Sequence, residues 1–276
     1  MIGQAERLLE LNKLKASSSA GEARGRIVAF SSGKGGTGKT FISLNTAYAL
    51  SRMRKKVLLI DLDANLSNIN IMLNIRPEKT LISYLQHRCA LKDLVTMYET
   101  GLYFIFGDSG KLDYPASSEH TLDNMIFEIR ELCAEFDYVI LDIGAGADEN
   151  VIHLLKEVHT NILIVNPEPT AIMDAYVIIK LLHNAGAGTQ NMAVVNKCYS
   201  EKEAATAFSN LSKAAQHFLN ETIIPLGYIE NEQSVNRAIM AQELYIRKNP
   251  HSKTSMQIVR IAQSIIQKSR SSEVRR

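Results

Sequence analysis

Gly33-Lys34-Gly35-Gly36-Thr37-Gly38-Lys39-Thr40, directly behind the apolar run Ile27-Val28-Ala29-Phe30, sets the architecture of this chain. One glycine, four residues and then Gly38-Lys39-Thr40 is the spacing of a phosphate-binding loop between a strand and a helix. Glycines let the backbone turn so that successive N–H groups converge on phosphate oxygens, with no Cβ in the way. A helix starting near Lys39 adds the positive end of its dipole. In such a site Lys39 bridges the β- and γ-phosphates and the Thr40 hydroxyl binds Mg2+. Gly33, Lys34, Gly35, Gly36, Thr37, Gly38, Lys39, Thr40 and Phe41 are the candidate ATP-binding residues. A glycine-rich turn that binds nothing is the plainer reading, but strand, loop and helix follow in the order the loop requires.

Acidic strand ends complete the constellation. Val57-Leu58-Leu59-Ile60 runs into Asp61-Leu62-Asp63-Ala64-Asn65, with Asn68 beyond. Two carboxylates at a strand's carboxyl edge can face Mg2+ and an attacking water, whereas a strand-terminal Asp can equally cap the next turn. Tyr138-Val139-Ile140-Leu141-Asp142 leads into Ile143-Gly144-Ala145-Gly146. A carboxylate after an apolar strand is the Walker B arrangement that holds magnesium directly or through water. Gly146 suits a loop whose backbone N–H approaches the γ-phosphate. Asn166 and Asn196 end two further strands, and a side-chain amide both donates and accepts, as the adenine edge requires. Thr170 has a structural reading as the N-cap of the helix after Pro167-Glu168-Pro169.

Apolar strand candidates alternate with helical segments through the rest of the chain. The strands read as Ile27–Ser31, Lys56–Asp61, Leu102–Phe106, Tyr138–Asp142, Asn161–Asn166, Met192–Asn196 and Ile223–Ile229. Helices read as Lys39–Met53, Thr121–Ala134, Ala147–Val158, Thr170–Asn184 and Glu201–Leu219. This is an α/β fold: a mainly parallel twisted sheet with helices on both faces, of the P-loop NTPase type. Ligands in such sheets lie beyond the carboxyl ends of the strands, where the glycine loop and the acids fall. Ahead of the domain, residues 1–25 read as an amphipathic helix, Ile2–Leu14, and a flexible Ser/Gly/Ala-rich linker; residues 26–276 form one ATPase domain. Pattern alone leaves open whether the leading helix packs on its own domain or fits a partner's groove.

Composition narrows the class. The chain has 276 residues, 46% hydrophobic and 22% charged, which is ordinary for a globular protein with a large core. A net charge of +2 argues against an extensive nucleic-acid-binding surface and leaves room only for a local basic patch. Cys89, Cys133 and Cys198 have no paired spacing, so neither a disulfide framework nor a zinc knuckle is indicated. No apolar run approaches the roughly 20 residues that span a bilayer, and the start lacks a signal peptide's apolar centre, so a cytoplasmic location is expected.

Lys34 after the first glycine, the Asp61–Asn68 segment and the Asp-x-Gly-Ala-Gly run at Asp142–Gly146 together resemble the MinD/ParA class of ATPases with a deviant Walker A loop. The resemblance implies that Lys34 reaches across a nucleotide-sandwich homodimer to the other subunit's phosphates. It also implies that Asp63 positions or activates the attacking water, that Asp61 supports the magnesium shell beside Thr40 and Asp142, and that Asn196 contacts adenine. Asp63, Lys34 and Lys39 are then the catalytic set. The missing Cys-x-x-Cys pair weighs against the iron–sulfur carriers of the class.

Within the class, Pro167-Glu168-Pro169-Thr170, Asp174-Ala175-Tyr176, the Gly-Ala-Gly switch and Gln4-Ala5 with Leu8 look like the FlhG family of flagellar-number regulators, also called FleN or YlxH. That similarity covers almost the whole chain. It implies a cytoplasmic or membrane-associated ATPase whose ATP-bound dimer sets flagellar number and placement. The implied partners are the SRP-like GTPase FlhF, basal-body components and flagellar transcription activators. Gly3 and Leu9 stand where the family's N-terminal element carries an aspartate and an arginine, which counts against stimulation of that GTPase. Near the end, Ile258, Ile261, Ala262 and Ile265 form a helical stripe with Arg260 and Lys268 beside it. Packing on the sheet is the favoured reading, leaving at most weak, reversible membrane contact. The competing functions are a DNA-partition ATPase, which would need a basic dimer face, and a scaffold that has lost hydrolysis, against which Lys39, Thr40, Asp63 and Asp142 stand intact.

Overall fold

The computed structural model describes residues 25–63, 68–108 and 119–273. The helix candidate Ile2–Leu14, the linker as far as residue 24 and residues 64–67 of the first acidic loop lie outside them. Eight strands form one sheet in the order β3-β4-β2-β5-β1-β6-β7-β8. Their spans are β1 Arg26–Ser31, β2 Val57–Leu62, β3 Thr96–Glu99, β4 Leu102–Ile105, β5 Tyr138–Ile143, β6 Thr160–Val165, β7 Gln190–Cys198 and β8 Ile224–Glu230. All pairings are parallel except β3 with β4.

The central strands are apolar because helices cover both of their faces. Alternate residues feed two cores: Ile27, Ala29, Leu58, Ile60, Val139 and Leu141 one, Val28, Phe30, Val57, Leu59 and Ile140 the other. The first core is covered by the helices Glu119–Cys133, Glu149–Lys156, Pro169–Asn184 and Glu201–Leu219. The second is covered by Lys39–Arg52 and Lys253–Glu273. Lys39–Arg52 is buried at every position except Thr40 and Arg52, which fits a helix sandwiched between sheet and outer helix.

Within the described residues the sequence-derived elements form, with ends shifted by at most two residues; the helix expected to be capped by Thr170 instead starts at Pro169, with Glu168 at its N-cap. An edge strand and several short helices were not anticipated. β3 is a four-residue edge strand with no apolar run, formed because Gly101 (φ 85°) turns the chain back along β4. Short helices occur at Ile69–Met72 and Leu81–Leu85, and the pair Gln233–Met240 and Tyr245–Lys248 closes the second core. Tyr245 stacks edge-on against Phe41 at 5.5 Å, and the Ile246 N–H donates to Asn45 Oδ1 at 3.1 Å. In the last helix, Ile258, Ile261, Ala262 and Ile265 are all 2% exposed or less. That stripe is part of the core, so it does not present a membrane-facing surface.

Candidate functional site

Strand register assembles the site. β2 and β5 pair so that Asp61 lies beside Asp142, and β1 pairs with β5 so that Phe30 lies beside Asp142. Three strands thus end level, and the glycine loop leaves β1 directly over two carboxylates that are almost fully buried. Lys39, itself 6% exposed, enters this pair from above. Its Nζ donates to Asp142 Oδ1 at 2.9 Å and lies 4.0 Å from Asp63 Oδ2. Two acids thus face one lysine, with Asp61 beside Asp142 on the neighbouring strand, leaving an excess of negative charge in a place where water is largely excluded.

The loop geometry explains its glycines. Gly38 has φ 91° and starts the Lys39–Arg52 helix with no side-chain cap and no acid in the first turn. The helix N-terminus is therefore presented to an anion rather than neutralised by its own chain. Gly33 is required by crowding: a Cβ there would sit 2.4 Å from the Asp174 Cβ, on the first turns of Pro169–Asn184. A cavity of about 360 Å3 opens over the loop, lined by Ser32, Gly35 to Phe41, Asp63 and Ala145. Asn68, Ile71, Met72 and Ile239 complete its walls.

Each sequence-derived residue has a definite place. Asp61 Oδ1 accepts from the Asp63 N–H, and its Oδ2 from the Asn68 and Ile69 N–H groups, all at 3.2 Å. It therefore ties down the acidic loop, the turn-capping role weighed above. The Gly146 N–H, in a glycine at φ 108°, donates to the Ser32 carbonyl at 2.9 Å, joining the second acidic loop to the base of the phosphate loop. Asn196 does not line the cavity; its Nδ2 donates to the Thr37 carbonyl at 2.7 Å and braces the loop from β7. Asn166 is buried, also outside the lining. Lys34 pairs with Glu168 at 2.7 Å on the surface.

The donors present fit a magnesium nucleotide. Among the described residues, Asp142 Oδ2, Thr37 Oγ1 and Asn166 Oδ1 are buried oxygens with no hydrogen-bond partner. No cluster of three or more His, Cys, Asp or Glu among those residues could cage a metal alone. That pattern suits Mg2+, which retains waters and takes substrate phosphate oxygens alongside one or two carboxylates.

Several residues around the loop escaped the sequence reading. Glu168 holds Lys34, Lys197 Nζ donates to the Gly36 carbonyl at 2.7 Å, and Ile239 reaches the cavity from the far end of the chain. Lys197 adjoins Asn196 and Glu168 sits between two prolines, so both were visible as neighbours of strand ends. Nothing in the local sequence marks Ile239.

The ParA family model, described as NUBPL iron-transfer P-loop NTPase, matches residues 24–266. The chain belongs to the ParA family of P-loop NTPases. It is 30% identical to the antiactivator FleN of Pseudomonas aeruginosa over 240 residues, covering 87% of this chain and 86% of FleN. It is 30% identical to the flagellum site-determining protein YlxH of Helicobacter pylori over 273 residues, covering 97% and 92%. The fold is that of the cell-division ATPase MinD of Pyrococcus furiosus, with a TM-score of 0.73 and 24% identity over 88% of this chain and 99% of that one. The flagellar resemblance read from the sequence thus rests on relatives matched along most of their length. Among the described residues, no helix is long and apolar enough to cross a membrane.

Proposed function

We propose that this member of the ParA family is a slow, Mg2+-dependent ATPase that works as a dimerising switch and sets flagellar number or placement. One observation supports it above the others. Lys39 lies buried between Asp142 and Asp63 beneath an uncapped helix start, so a polyphosphate entering the cavity takes over the lysine from its acids. Backbone N–H groups of Gly35 to Thr40 would then hold the phosphates, with Phe41, Gly33 and Asn166 supporting the loop and Asn196 the base end. Thr40, Asp142 and, through water, Asp61 would hold magnesium, which when bound polarises the phosphoryl group.

In this reading Asp63 orients the attacking water and accepts its proton. Gly146 transfers its N–H from the Ser32 carbonyl toward the terminal phosphate, so the two acidic loops report the nucleotide state. Lys34 leaves Glu168 and serves a second subunit's nucleotide. That exchange is inexpensive, because the Lys34–Glu168 pair is exposed, and exposed pairs contribute roughly 0–1 kcal/mol. The flagellar assignment follows the relatives FleN and YlxH, and it points to the SRP-like GTPase FlhF, basal-body components or flagellar transcription activators as partners. A cytoplasmic site of action, with residues 1–25 as a separate leading segment, belongs to the same reading.

The test is a pull-down with and without ATP using Asp63→Ala as the trapped state, run beside a phosphate-release assay. Asp63→Ala should bind ATP, form the dimer and release no phosphate, and it should retain the flagellar partner. Normal turnover by that variant would remove Asp63 from catalysis. Recovery of DNA alone would replace the flagellar reading with a partition function.

A further inference from the structure

Strand β7 loses its regular pairing where it meets the phosphate loop. Val195 pairs with Tyr228 and Cys198 with Glu230, so Asn196 and Lys197 together stand opposite Ile229 alone. Two residues against one is a β-bulge, a device that re-aims side chains at the rim of a site. Within it Lys197 has φ 59°. Among the described residues, the other non-glycine positions with positive φ are Arg54, Asn74, His87, Asn220 and Gln242. Each of those lies within two residues of a helix end, where the left-handed conformation commonly terminates a helix. Lys197 lies inside a strand instead. A lysine held there is strained, and strain that ends no helix points to a task beyond folding.

In a regular strand neighbouring side chains leave on opposite faces. Here both reach one loop: Asn196 Nδ2 donates to the Thr37 carbonyl and Lys197 Nζ to the Gly36 carbonyl, each at 2.7 Å. Two consecutive peptide planes are thus gripped by two consecutive side chains. The contact is close, since a Cβ on Gly38 would lie 2.4 Å from Asn196 Nδ2. In a trans peptide the N–H points opposite to the C=O, and the described chain has no cis bond. Gly36, Thr37 and Gly38 line the nucleotide cavity, whereas Asn196 and Lys197 do not. With both carbonyls drawn outward, the Thr37 and Gly38 N–H groups are turned to the cavity side, as a bound anion requires.

We propose that Lys197 is a positioning residue for the nucleotide: the bulge aims its ammonium at the back of the phosphate loop, where it fixes the Gly36–Thr37 peptide with the N–H toward the phosphates. The inference rests on the nucleotide reading above and adds to it a residue far outside the glycine-rich run. Its physical content is preorganisation. A loop of glycines has many peptide orientations open to it. An anion that had to select the productive one would bind more weakly by the fraction of time the loop spends there. The ammonium also polarises the peptide it holds, which makes the opposite N–H a better donor. The bond from Lys197 is exposed and exchanges readily with water, so folding gains little from it.

Calorimetric titration of the full chain with Mg-ADP, run beside thermal melts, tests the assignment. Lys197→Gly removes the ammonium and relieves the backbone at once. It should bind Mg-ADP about tenfold more weakly, yet melt at the temperature of the unsubstituted chain or about 2–4 °C higher. Lys197→Met keeps the length without the donor and should show the same loss of affinity, while Lys197→Arg should restore binding to within about threefold. Unchanged Mg-ADP affinity in Lys197→Gly and Lys197→Met would overturn the proposal. So would a melting temperature of Lys197→Gly that falls together with its affinity, because a merely structural contact loses both. An unsubstituted chain that takes up no Mg-ADP would remove the nucleotide site itself and this role with it, a result distinct from equal binding by all the variants.

Discussion

Two lysines five residues apart in one loop meet opposite fates. Lys39 donates to Asp142 at 2.9 Å in a pair that is 6% and 0% exposed; Lys34 meets Glu168 at 2.7 Å in a pair that is 37% and 57% exposed. The distances are nearly the same, yet the environments separate the two roles. A sealed pair is costly to break unless another charge arrives, so Lys39 is suited to wait for a polyanion. An open pair is screened and competes with water, so Lys34 is free to change partners at little cost.

Breaking the sealed pair should have the largest effect. Lys39→Ala leaves Asp142 buried without its cation, beside the equally buried Asp61, and should cost about 3–5 kcal/mol, a fall of roughly 10 °C in Tm. Added Mg-ATP should then give no thermal stabilisation; an unchanged melt would mean that the acids relax into water. Asp63→Ala, next to the sealed pair but 17% exposed, should lower phosphate release by about 10²–10⁴-fold and move stability by less than about 1 kcal/mol.

The open pair sharpens the contrast from the other side. Lys34→Ala should change the unfolding free energy by less than about 1 kcal/mol, while light scattering with ATP shows only monomer. A large stability loss in that variant would show that the surface pair does more than hold the lysine. Thiols obey the same distinction between sealed and open sites, with the smallest effect. Burial pushes the Cys133 thiol up to about 12, and burial, helped by the charges of Glu203 and Glu230, does the same for Cys198. Both stay protonated near pH 8, so the folded chain should take up one equivalent of a thiolate-directed label, at the half-buried Cys89.

Much of this was legible in the sequence because the governing patterns are local. Apolar runs gave seven of the strands, and Gly33 to Thr40 announced its own conformation. What stayed hidden depends on register or on distant contacts. No local pattern says that Asp61 and Asp142 end level, yet that alignment buries a second carboxylate beside the partner of Lys39. Asn196 illustrates the other difficulty. An amide suited to adenine is equally suited to a peptide carbonyl, and in this fold it meets Thr37. β3 was invisible because its residues are half polar and its pairing depends on the turn at Gly101.

The bond from the Ile246 N–H to Asn45 links positions 201 residues apart, and the last helix covers the one that carries Lys39. During synthesis the nucleotide loop therefore emerges long before the segment that shields its helix. A nascent chain must hold an apolar helix uncovered for most of its translation, which invites chaperone capture and makes folding slow. Premature termination ahead of Tyr245 would silence the nucleotide site without altering any residue that touches the nucleotide.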